Sequence, residues 1–434
     1  MNSKSIYYVA FRLINTVLGV LWGFVLMAVM VRAIGLEQYA YYVLIGAVGI
    51  YIASADLGIS NVLYARLRYG YLGDGIVSLI APARGAIVIY IVVSATAALC
   101  YAGYLLVGAP TEVGSSAGLF LFFVATLANV PWIVVRSAVA AIDRHLEFEI
   151  VDFGRRVGQF LCVVLLLWIE RPAAIFLLLD VIWLVAYTLA FHSMRAGGLT
   201  GFSLAPTRLL ADFRAFVASF GEMILHSSMF ALSEAFSYNY PYFLLSVIWG
   251  PGAEVVLFDV FHKFLRAAIV TNQAFSMGLL PQTTRHHFAG QRAALLWTLL
   301  TVVGLSLLGI MAMNAVLFFG HDRLFGVLLH ERAGLVSAAM FAAIALVSFA
   351  NAVQNTAGSY IVSIGKMHLA KTLALTLAGC FAFATAVVLA AGGSFDAFLL
   401  VYAVVYVGGA IAWSWKALAV AVDETDLPQK IPGW

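Results

Sequence analysis

Apolar runs of about 20 residues or more recur along the chain, separated by short clusters of glycine, proline and charge. A run of that length crosses a hydrocarbon core about 30 Å thick as an α-helix rising about 1.5 Å per residue. The pattern predicts twelve spans, at about 6–31, 38–62, 84–108, 117–142, 153–169, 173–194, 221–248, 254–279, 294–319, 336–361, 369–391 and 397–420, with ends placed to about 3 residues. The short alternating segments of a transmembrane barrel are absent. The expected fold is all-α and polytopic. The opening stretch MNSKSIYYVAFRLINTVLGVLWGFVLMAVMV is too long and too apolar for a cleaved signal peptide and reads as the first span.

Composition agrees. Of 434 residues 63% are hydrophobic and 10% charged, against about 25% charged in a soluble domain. Cys100, Cys162 and Cys380 fall within spans without metal-ligand spacing and are expected to be small buried hydrophobes. The net charge of +3 does not point to nucleic acid, because the bases are sorted by side. Of the 24 Lys and Arg, seventeen lie in the even-numbered loops and tails, including Arg84, Arg144, Arg155 and Arg156; Arg32, Arg171, Arg323 and Arg332 lie opposite. By the positive-inside rule both termini are cytoplasmic, as expected in a bacterial inner membrane.

The two halves repeat. VRAIGLEQYAYYVLIGAVG from Val31 compares with the region VIWGPGAEVVLFDVFHKFL from Val247, where an offset of 215 places Gly35 on Gly250. ANVPWIVVRSAVAAIDRH from Ala128 aligns with ANAVQNTAGSYIVSIGKM from Ala350 at an offset of 222, placing Asn129 on Asn351 and Arg136 on Gly358. Two six-helix lobes in the same orientation follow, residues 1–194 and 215–421, joined by a cytoplasmic linker 195–214 and followed by a tail 422–434. The linker's LLADFRAFV end is expected to lie as an amphipathic segment on the membrane surface.

Three bases sit inside spans: Arg136, Lys263 and Arg266. A charge near the bilayer centre costs at least about 2.5–3.5 kcal/mol, so it faces water or a partner. Asp259, Lys263 and Arg266 share a helix face at i, i+4, i+7 spacing. Either they close a network with Glu234 that holds helices together, or they form a cationic patch that receives a diphosphate. Arg136 lies about 9 Å toward the cytoplasm from its span's centre. It either snorkels to the interface or grips diphosphate oxygens in a cavity beside a helix kinked at Asn129 and Pro131. Arg12, Glu222 and His226 occupy matching thirds of the first and seventh spans, as a salt-bridged gate or as interfacial anchors. Asp180 is a lone acid in the sixth span and a candidate proton site. Pro241, within SYNYPYF, is expected to bend the seventh span. The trios His321–Arg323 and His330–Arg332 belong to an outer loop of about 16 residues, near the length of an ordinary connection. No Walker loop, nucleophile motif or metal-ligand spacing occurs, so no enzymatic activity is expected.

RAIGLEQYAYYVLIGAVGIYIASADLGISNVLYARL, through Arg32, Gly35, Tyr39, Asp56, Leu57 and Gly58, resembles the N-terminal signature of bacterial polysaccharide-unit flippases of the multidrug, oligosaccharidyl-lipid and polysaccharide exporter superfamily. At motif level the resemblance covers about the first 70 residues; in span count and duplication it covers the chain. It implies movement of undecaprenyl-diphosphate-linked oligosaccharide from the cytoplasmic to the periplasmic leaflet by alternating access, alongside polysaccharide polymerase and export machinery. No cofactor is implied beyond coupling to H+ or Na+. Arg136, Lys263 and Arg266 are then diphosphate-binding candidates, and Asp56, Glu234, Glu222 and Arg12 gate or coupling candidates. Asp56 lies about 27 Å down its span, at the cytoplasmic mouth, as a hinge or gate first and a ligand second. Lipid II flippases typically carry two further spans beyond the twelve expected here. A multidrug exporter of the same superfamily and a membrane polysaccharide polymerase or ligase are the alternatives.

Overall fold

The computed structural model describes residues 3–54, 63, 67, 71, 80–108, 116–169, 171–197, 199, 209–364 and 366–423. Asp56, Arg66 and Arg68 lie outside the described residues, as do the side chains of Glu222 and His226. Among the described residues the chain is helical throughout: α1 (Ser3–Ile34), α2 (Leu36–Ser54), α3 (Ile80–Gly108), α4 (Ser116–Leu127), α5 (Asn129–Ala141), α6 (His145–Ile169), α7 (Pro172–Ala196), α8 (Leu209–Trp249), α9 (Ala253–Phe288), α10 (Arg292–Leu329), α11 (Ala338–Ser363), α12 (Met367–Ala390) and α13 (Phe395–Asp423). Over the described residues each expected span falls on a helix, the fourth in two pieces. Eight candidate spans among the described residues have the length and apolarity to cross a bilayer on composition alone. Large apolar side chains such as Leu106, Val107, Trp168, Phe319 and Trp415 face outward, as a lipid solvent requires. The protein is a multi-pass membrane protein.

Two compact units are present, Met1–Ala235 with Pro251–Val255, and Phe236–Gly250 with Val256–Trp434. In the first, α1 packs along α6, α6 on α7 and α4 on α7; in the second, α11 packs along α13 and α12 on α13. Gly35 and Gly250, aligned by the internal repeat, end α1 and α8 at φ +84° and +79°. A side chain is strained at such angles, which glycine adopts freely. The same break therefore recurs at the same place in both halves.

At two prolines the freed backbone oxygen is covered. Pro131 has no N–H, so α4 and α5 part at Ala128. Ser94 Oγ lies 3.5 Å from the Leu127 carbonyl, and Tyr187 donates to the Ala128 carbonyl at 2.6 Å. Pro241 instead stays inside the 41-residue α8. The carbonyl four residues earlier, Ser237, accepts from the Tyr402 hydroxyl at 3.3 Å. At the start of α11, Ser337 accepts from the Met340 N–H at 3.1 Å and donates to Asp396 at 2.7 Å, capping one helix and tying it to α13.

Several expectations need correction. The linker end 209–217 is not a separate surface segment but the first turns of α8, with Asp212 and Phe216 buried. The His321–Arg323 trio lies on α10, which runs to Leu329, and only His330–Leu335 forms a short 3-10 turn. Cys162 is buried, but Cys100 and Cys380 face outward. Arg84 and Arg155, read as loop bases, are buried and paired.

Two glycines mark close approaches of different kinds. A Cβ on Gly85 would stand 2.7 Å from the Asp212 carbonyl oxygen, whereas one on Gly19 would meet the movable tip of Arg156 at 2.8 Å. Gly85→Ala is therefore expected to lower thermal stability clearly in detergent, and Gly19→Ala to leave it nearly unchanged; equal losses would overturn this reading of the α3–α8 contact.

Candidate functional site: ion-pair clusters within the helices

In the first unit a buried carboxylate collects two cations from two other helices. Glu149, on α6 with its side chain 3% exposed, accepts from Arg136 of α5 at 2.9 Å. Asn15 of α1 donates to Glu149 Oε2 at 2.7 Å and to its backbone carbonyl at 2.8 Å. Arg12, one turn earlier on α1, approaches the same carboxylate at 4.0 Å. Arg136 and Arg12 keep 45% and 36% of their side chains exposed, so each shares one anion while facing outward. Two guanidinium groups thus share one carboxylate.

A second carboxylate follows one turn on. Asp152 receives Arg155 and, at 2.8 Å, Arg156, and it accepts from Trp132 Nε1 at 3.0 Å. Arg155 also donates to Gln159 at 2.8 Å and lies 4.0 Å over the ring of Trp183. Burying this guanidinium is tolerable because its hydrogen bonds and cation–π contact replace water. Again two arginines meet one acid.

In the second unit Lys263 is paired with Asp259 on its own helix, α9, and only 14% of its side chain is exposed. Tyr242 of α8 lies 3.2 Å from Asp259 Oδ1 and 2.8 Å from His262 Nδ1. Arg266, one turn beyond, is exposed. Tyr238 meets Tyr406 at 2.9 Å, and Asn351 donates to Tyr406 at 2.6 Å. At Gly358, the repeat counterpart of Arg136, a Cβ would lie 3.6 Å from the Trp413 ring, so aromatic packing takes the place of the charge.

Of the gate and coupling candidates, Arg12 is found at Glu149 and Glu234 is half-buried in α8. Both carboxylate oxygens of Asp180 are buried without a hydrogen-bond partner. Glu149 and Asp152 were missed in the sequence. Both precede the apolar part of α6 at i, i+3 spacing, the one signal that would have put them on a shared face with Arg155 and Arg156.

No family model matches the chain, and no curated protein matches it by sequence. Its fold is shared with solved transporters. An inward-facing multidrug resistance MATE family transporter of the MOP superfamily superposes with a TM-score of 0.74 at 10% identity, over 98% of this chain and 99% of that one. The lipid II flippase MurJ, in an inward closed conformation, gives 0.64 at 11% identity over 96% and 91%. A MOP superfamily transporter from Pyrococcus furiosus, described by a binding pocket of reverse polarity, gives 0.60 at 10% identity over 96% and 94%. The architecture is thus that of MOP superfamily transporters, and these neighbours are transporters and a flippase rather than enzymes.

Proposed function

We propose that this chain is a flippase that carries a polyprenyl-diphosphate-linked oligosaccharide across a bacterial inner membrane by alternating access, for surface polysaccharide synthesis. The observation that supports it is the pair Arg12 and Arg136, two partly exposed guanidinium groups at one buried glutamate. Guanidinium groups stay protonated and match diphosphate oxygens in bidentate fashion. Lys263 and Arg266 add positive charge on α9. The lipid tail stays in the bilayer, an H+ or Na+ gradient supplies the driving force, and the termini face the cytoplasm with the basic loops. Polymerase and export proteins act on the product.

A multidrug exporter is the second reading, favoured by the MATE neighbour. Cationic cargo calls for acidic lining groups, whereas the half-exposed pair here is cationic. Arg136→Ala, Lys263→Ala and Arg266→Ala are each expected to cut surface polysaccharide severalfold at equal expression in a deletion strain. Wild-type output from all three would sink the diphosphate site. Accumulation of the lipid-linked unit on the inner leaflet of the deletion strain supports the flippase; accumulation on the outer leaflet indicates an enzyme acting after translocation.

A further inference from the structure

Asp152 holds two arginines although one would satisfy it. Arg155 meets it from the buried side, with Nε and one terminal nitrogen on Oδ1 and the other terminal nitrogen on Gln159. Every nitrogen of Arg155 is bonded, and Trp132 Nε1 donates to the same carboxylate. Arg156 adds a single bond, from Nε to Oδ2 at 2.8 Å. Among the described residues neither of its terminal N–H₂ groups makes a hydrogen bond. Those two groups are one edge of the guanidinium fork, which matches phosphoryl oxygens in bidentate fashion.

The fork has a seat on α1. A Cβ on Gly19 would stand 2.8 Å from Arg156 Nη1 and 3.4 Å from its Cζ, so the guanidinium fills the space that a side chain there would take. Arg12, Asn15 and Gly19 share a face of α1, and Glu149, Asp152 and Arg156 share a face of α6 with the same spacing. The two faces meet in register, Asn15 at Glu149 and Gly19 at Arg156. The outward apolar side chains lie about 120° or more around each helix from this contact: Leu13, Val17 and Leu21 on α1, and Leu161, Leu165 and Trp168 on α6. The 26% exposure of Arg156 therefore opens away from the apolar surface.

Arg136 completes the arrangement. On α5, Trp132 and Arg136 are one turn apart and meet Asp152 and Glu149 respectively. The Arg136 and Arg156 guanidinium groups thus sit on carboxylates in adjacent turns of α6. Arg136 also gives only one nitrogen to its carboxylate, and its Nε and Nη1 make no hydrogen bond among the described residues.

We propose that Arg136 and Arg156 each take one phosphoryl group of the headgroup, so that Arg156, seated at Gly19, makes the site select a diphosphate over a monophosphate. This assignment rests on reading the chain as a carrier of a diphosphate-linked lipid.

Binding of farnesyl diphosphate and farnesyl monophosphate to the full-length protein in nanodiscs tests it. Wild type should prefer the diphosphate. Arg156→Gln should lose about tenfold in diphosphate affinity, while monophosphate affinity, held by Arg136, changes little. Its unfolding temperature should stay near that of wild type, because Arg155 and Trp132 still hold Asp152. Arg156→Lys keeps an ion pair but not the fork, and should lose the preference as well. Where Arg156→Gln does not fold, Gly19→Val carries the test, since it keeps every charge and pushes the guanidinium from its seat. An unchanged preference in these variants overturns the role of Arg156 and leaves the headgroup reading of Arg136 standing. Equal losses for both ligands overturn the selectivity. A wild-type protein that binds neither ligand refutes the headgroup reading, and the role of Arg156 with it.

Discussion

Arg84→Leu is expected to destabilise the folded protein by about 3–5 kcal/mol, because it strands a buried aspartate. Arg84, in the first turns of α3, and Asp212, in the first turn of α8, form an ion pair with each side chain only 9% exposed. Beside them Gly85 lets the α8 backbone approach closely, since a Cβ there would stand 2.7 Å from the Asp212 carbonyl oxygen. Removing the guanidinium leaves the carboxylate to be protonated or dragged to solvent, and both routes cost stability. Arg84→Leu with Asp212→Leu removes the desolvation cost together with the pair, so most of the loss should be recovered. Thermal unfolding of the purified variants in one detergent reads the difference. A double variant as damaged as the single one would mean that the contact acts through shape rather than charge.

That pair also shows why the sequence reading went as far as it did. Span positions follow from apolar length, a property each segment carries alone, so the all-α polytopic fold was legible. The internal repeat was legible for a similar reason: Gly35 and Gly250 meet a local need, a left-handed residue between two helices, and both have it. The fates of the basic residues were only partly local. Arg84 and Arg155 counted as loop charges because loop bases and buried bases look alike until their partners, Asp212 and Asp152, are known. Those partners lie 128 residues and 3 residues away respectively. The Lys263–Asp259 pair was foreseen from i, i+4 spacing on one helix. Glu149 was not, since Asn15, Arg12 and Arg136 reach it from two other helices. Pro241 lies inside α8, which runs on past it, and Tyr402 supplies a hydrogen bond to the orphaned carbonyl. That compensation comes from 165 residues away.

Glu149→Gln is expected to separate the two roles of Arg136. As a fastener, Glu149 joins α1, α5 and α6 through charged hydrogen bonds from Asn15 and Arg136, each worth about 1.5–3 kcal/mol. Glutamine keeps one acceptor oxygen, loses the charge and turns an amide N–H₂ toward donors, so a measurable drop in thermal stability follows on either account. As a competitor, the carboxylate neutralises part of the Arg12 and Arg136 charge that a diphosphate would use. Removing it should therefore tighten farnesyl diphosphate binding by about tenfold, the equivalent of 1.4 kcal/mol, while slowing turnover because the headgroup leaves less readily. Arg136→Glu gives the opposite sign: two carboxylates meet where an ion pair stood, and both binding and polysaccharide output should be lost. Arg136→Lys falls between, since an ammonium keeps the charge but not the bidentate geometry. If Arg136 serves only to hold α5 against α6, Glu149→Gln lowers stability and leaves diphosphate affinity unchanged, and the half-exposed arginine pair is then structural.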